Sequence, residues 1–74
     1  MKKEVQQAVK KFKEQGGSID LGYEVPYFDI TMPDETNYFY HSEEARKILH
    51  EIPKGISDKN YLIWLAQTGQ LKEV

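Results

Sequence analysis

The apolar residues of this chain change their spacing twice, and that order of periods limits what it can fold into more than any single residue does. Val5, Ala8, Val9 and Phe12 recur at i, i+3, i+4 and i+7, which is one face of an α-helix. From Ile19 the period falls to two. Ile19, Leu21, Tyr23 and Val25 alternate with Asp20, Gly22 and Glu24, and beyond Pro26 the residues Phe28, Ile30 and Met32 alternate with Tyr27, Asp29 and Thr31. Helical spacing returns with Ala45, Ile48, Leu49 and Ile52. The order of elements is therefore helix, strands, helix, helix.

Local signals place the boundaries. Residues 2–15 form the first helix, and Gly16–Gly17 ends it because glycine takes the left-handed conformation at little cost. The alternation predicts a strand over 18–25 with Tyr23 and Val25 on its apolar side. Pro26 cannot donate to a ladder and marks an edge, a bulge or a boundary. Pro33-Asp34-Glu35-Thr36 is a turn by composition, so 27–32 and 37–41 should form a β-hairpin in which Phe28 or Tyr27 meets Tyr38 to Tyr40. Ser42 is the expected N-cap of a helix over 43–52, which stops at Pro53. Ser57 and Asp58 cap a third helix over roughly 58–68, with Gly69 beyond it and the last five residues as a tail or a short terminal contact. Residues 61–66 are apolar almost all round, which calls for burial or for a partner, and Trp64 is expected as the central core side chain. The fold class that follows is α+β. A single domain over 1–74 has an N-terminal helix, a small antiparallel sheet of two to three strands, and two C-terminal helices packed on one face.

Seventy-four residues bury only about 60% of the surface of the unfolded chain, so a few large side chains carry the core. With no cysteine, disulfide frameworks, thiolate zinc sites and thiol catalysis are excluded together. The start of the chain is charged rather than apolar, and no apolar run approaches a membrane span. The expectation is a cytoplasmic protein with no membrane partner.

Motifs for chemistry are missing. His41 and His50 stand nine residues apart, outside the spacings that metal sites use, and His50 suits the negative end of a helix dipole. None of the serines lies in a nucleophile elbow, and Gly16–Gly17 follows a helix where a phosphate loop precedes one. The helix-turn-helix arrangement of 43–68 offers Asp58, Lys59 and Asn60 and then turns apolar, which does not suit a recognition helix. The expectation is a non-enzymatic protein with no metal and no cofactor. No motif carries a resemblance to a known family.

What remains is charge. Between Lys13 and Arg46 there is no Lys or Arg, while Glu14, Asp20, Glu24, Asp29, Asp34, Glu35, Glu43 and Glu44 all fall in that window. So do Tyr23, Tyr27, Phe28, Tyr38, Phe39 and Tyr40. Carboxylates with tyrosines between them make a surface suited to a basic protein partner. The expected partner-binding residues are Asp20, Tyr23, Glu24, Tyr27, Asp29, Asp34, Glu35, Tyr38 and Tyr40. The reading is a small regulatory protein acting by protein–protein binding, in its sharpest form an inhibitor of a nucleic-acid-acting protein. One alternative is a nucleic-acid-binding module using Lys2, Lys3, Lys10, Lys11 and Lys13. A second is a homodimer formed through 61–66. Against all of these stands an ordinary solvated sheet face and an ordinary solvated helix.

Overall fold

The computed structural model describes residues 2–73. Its elements are α1 (Lys2–Glu14), β1 (Ser18–Gly22), β2 (Tyr27–Thr31), β3 (Asn37–His41), α2 (Ser42–His50) and α3 (Asp58–Gln67). The strands form one antiparallel sheet in the order β1-β2-β3. The helices pack on one face of that sheet, and the molecule is α+β as the periods require.

The register explains why the core sits where it does. Leu21, Phe28 and Tyr40 face one another across the three strands, as do Ile19, Ile30 and Tyr38. The central strand supplies Phe28 and Ile30, both fully buried, and Phe12, Leu62 and Ile63 complete the set of large side chains with almost no exposure. Each contributes about 1.5–3 kcal/mol by leaving water. The expected aromatic contact forms between Phe28 and Tyr40, whose rings stack at 4.9 Å with an interplanar angle of 13°.

Both glycine stops work as expected. Gly16 adopts φ 91°, with Gly17 N–H bonded to Phe12 C=O and Gly16 N–H to Lys13 C=O. Gly69 adopts φ 73°, with Gln70 N–H bonded to Leu65 C=O and Gly69 N–H to Ala66 C=O. Each pair of bonds satisfies carbonyls that the helix end leaves open. Ser57 caps α3 by accepting a hydrogen bond from the Asn60 backbone N–H at 3.3 Å.

Three expectations are corrected. The strand expected over 18–25 stops at Gly22, because Gly22 pairs directly with Tyr27 and residues 23–26 are spent on the turn. Tyr23 and Val25 are therefore 63% and 72% exposed, while Pro26 is buried and its carbonyl accepts the Ser42 N–H at 2.8 Å. Ser42 is not the N-cap of α2. That position falls to His41, which makes no side-chain cap bond, and Ser42 sits at φ 55°. The cause is that β3 runs into α2 without a connecting residue, so Ser42 turns the chain, and its hydroxyl meets His41 Nδ1 at 3.2 Å. Trp64 is half-buried rather than central: it flanks the α1–α3 contact beside Tyr61, with ring centroids 5.4 Å apart.

Four residues of the apolar run 61–66 are buried within the chain, while Tyr61 and Trp64 are half-buried. Leu62, Ile63, Leu65 and Ala66 are all buried, and α3 is further joined to α1 by Gln67 Nε2 donating to Ala8 C=O at 3.3 Å. The C-terminal residues make a terminal contact: Leu71 is buried and the Lys72 N–H donates to the Tyr40 hydroxyl at 2.7 Å. Val74, part of the expected tail, lies outside the described residues.

Candidate functional site

Because the helices occupy one side of the sheet, the other side carries the outward half of each strand's alternation. Its rows follow from the register. Asp20, Asp29 and Phe39 lie side by side across the three strands, and Gly22, Tyr27 and His41 form the next row. The 23–26 turn adds Tyr23, Glu24 and Val25 at the same end, and these residues with Tyr27, Phe39 and His41 line a shallow open groove.

Gly22 shapes this groove. A Cβ at Gly22 would lie 2.2 Å from Tyr27 Cε1, so the tyrosine ring covers the bare backbone of its cross-strand partner. Lying flat there, Tyr27 reaches along the sheet, and its hydroxyl donates to Asp20 Oδ2 at 2.9 Å. On the other strand pair, Asn37 Nδ2 donates to Asp29 Oδ1 at 2.6 Å and to Ile30 C=O at 3.2 Å. Both carboxylates are thus held in place by neutral donors.

The electrostatics are one-sided. Asp20 and Asp29 are direct cross-strand neighbours, a like-charge arrangement that disfavours the strand pair. The ion pair among the described residues is Arg46–Glu43, on α2, so neither aspartate has a cationic partner there. Tyr27 registers this negative field. The hydrogen bond to Asp20 raises the Tyr27 phenol above its usual value of 10.0, with smaller contributions from burial and from the charges of Asp20 and Asp29. Tyr23 is raised in the same way, chiefly by the hydrogen bond its hydroxyl donates to Asp58 Oδ2 at 2.5 Å. Asp34 is lowered, first by hydrogen bonding from the Thr36 side chain and then by the Thr36 backbone N–H, 3.1 Å from its Oδ1.

The structure brings some of the expected partner-binding residues together and separates others. Asp20, Tyr27 and Asp29 share the open face, and Tyr23 and Glu24 border it from the turn. Asp34 and Glu35 sit on the 33–36 turn at the opposite end of the sheet from the 23–26 turn. Tyr38 and Tyr40 point to the helical side and pack against the core, so they do not belong to this surface. Two residues of the face were missed, Phe39 and His41. The signal was in the sequence: the alternation that sends Phe28 and Ile30 inward from β2 also sends Tyr38 and Tyr40 inward from β3, which turns Phe39 out. Phe39 is 41% exposed, and its ring lies 5.5 Å from that of His41.

The five lysines of α1 are exposed, and so are His41 and His50. Among the described residues no three of His, Asp and Glu gather into a group that could hold a metal ion, and no helix is long and apolar enough to cross a membrane. No family model, no curated protein and no solved structure matches this chain.

Proposed function

We propose that this protein is a small non-enzymatic regulator that binds a protein with a basic surface through the open face of its sheet. The observation that carries this reading is the coincidence, on the sheet face that the helices leave uncovered, of the carboxylates of Asp20 and Asp29 with half-buried Tyr27 and exposed Phe39, bordered by exposed Tyr23 and Val25 of the 23–26 turn. Large amphipathic rings supply contact area with little loss of conformational freedom, and unpaired carboxylates steer a cationic surface into register. An inhibitor of a nucleic-acid-acting protein is the most specific form of this reading, since such targets present basic grooves.

Capture from a lysate of the encoding organism tests it, with nuclease present and with the double variant Asp20→Lys, Asp29→Lys run beside the wild type. The reading expects one protein retained stoichiometrically by the wild type after nuclease and released by the variant. Material that disappears with nuclease would instead favour nucleic-acid binding by the lysines of α1, and equal retention by the variant would remove the sheet face from the account.

A further inference from the structure

We infer that the anchor of this face is an arginine side chain of the partner, its guanidinium laid on the Phe39 ring and bonded to the carboxylates of Asp29 and Asp20. The inference rests on the docking reading above and narrows it to one side-chain chemistry.

Position is the first support. Phe39 is the cross-strand partner of Asp29, and Asp29 is the partner of Asp20. Adjacent strands lie about 4.8 Å apart, so a planar cation resting on the ring is within one strand spacing of the first carboxylate. The second support is that the acceptors are held ready. Tyr27 donates to Asp20 Oδ2 and Asn37 to Asp29 Oδ1, which leaves Asp20 Oδ1 and Asp29 Oδ2 without a donor among the described residues. The third is charge. Two carboxylates opposite one another disfavour the strand pair, and the chain has no Lys or Arg between Lys13 and Arg46 to offset them from within. A cation from outside removes that repulsion.

The surroundings select arginine over lysine. The groove beside Phe39 is lined by Tyr23, Glu24, Val25, Tyr27 and His41 and is largely apolar. An ammonium is compact and strongly hydrated, and it gains little from such a floor. A guanidinium is planar and weakly hydrated; it stacks on aromatic faces while its edge bonds carboxylates. Phe39 supplies the plane and Asp29 the acceptor, on neighbouring positions of one surface.

The test uses the full chain and two acetylated, amidated pentapeptides, Ser-Arg-Ser-Arg-Ser and Ser-Lys-Ser-Lys-Ser, titrated at low ionic strength with backbone amide shifts as the readout. The arginine peptide should bind about two- to fivefold more tightly than the lysine peptide, the ratio a surface cation–π contact gives. The largest shifts should fall at Asp20, Asp29 and Phe39. Phe39→Leu keeps apolar area and removes the aromatic face, so it should abolish the preference while leaving salt-dependent binding of both peptides. Because Phe39 is a surface residue, melting of the variant near the wild-type temperature verifies its fold. Equal binding of the two peptides at the sheet face overturns the arginine anchor and leaves the docking reading standing. Absence of binding by both peptides up to about 1 mM overturns the two together.

Discussion

Gly22 and Tyr27 face each other across β1 and β2, and this pairing decides how the open face presents its charge. With a side chain at Gly22 the tyrosine ring could not lie against the sheet, and its hydroxyl could not reach Asp20. The consequence is measurable through pH. A raised phenol value means that the folded protein holds the Tyr27 proton more tightly than the unfolded chain does. The stabilisation is therefore complete below the unfolded value near 10.0 and is lost as pH rises through the folded value. Tyr27→Phe should melt below the wild type at neutral pH, and the gap should close on the alkaline side of pH 10. A gap that stays constant through that range would show that the Tyr27–Asp20 bond does not couple to folding. Asp34 works in the opposite direction: its lowered value confers stability above the ordinary carboxylate range, which is lost as pH falls through the folded value.

The beginnings of the two C-terminal helices differ in kind, and substitutions should separate them. Ser57 accepts the Asn60 N–H at the start of α3, so Ser57→Ala should cost about 1 kcal/mol, which lowers Tm by roughly 4–8 °C in a domain of this size. Ser42 makes no cap bond and holds a left-handed conformation that L side chains disfavour by about 1–2 kcal/mol, so Ser42→Gly should raise stability by about 0.5–1 kcal/mol. Thermal melts of the two variants read both effects, and destabilisation by Ser42→Gly would contradict the strain assigned to that residue. The same contrast marks how much of the fold was legible in the sequence. Helix stripes, the 33–36 turn, the α3 cap and both glycine stops are local, and their residue signals correspond to what forms. The end of β1 is set by a hairpin pairing, Gly22 with Tyr27 across the 23–26 turn, which the continued alternation through Tyr23 and Val25 conceals. The entry to α2 is set by tertiary geometry, since the Ser42 N–H must reach the Pro26 carbonyl, and that constraint is not visible in a short window of residues. Phe39 is a different case, since its outward direction follows from the period of β3, which sends Tyr38 and Tyr40 to the core side.

At the scale of the whole molecule, charge and packing are divided between two sides. The helical side of the sheet contains the core, with Tyr38 and Tyr40 packed against it and Leu62, Ile63, Leu65 and Ala66 of α3 buried in it. The other side carries exposed Asp20 and Phe39 with half-buried Asp29 and Tyr27, while the lysines of the N-terminal segment are carried by α1, which packs on α3. A small domain has little surface to spare from its core, and here one sheet face is left without an internal role. On the proposed function, this face is where the protein acts. The most direct measurement is a backbone amide shift map of the isotope-labelled protein with its nuclease-resistant partner added. Perturbations should concentrate at Asp20, Glu24, Tyr27, Asp29 and Phe39, with the lysines of α1 unaffected. Perturbations confined to α1 and to Trp64 beside it would contradict the proposed function and would place the working surface on the helical side.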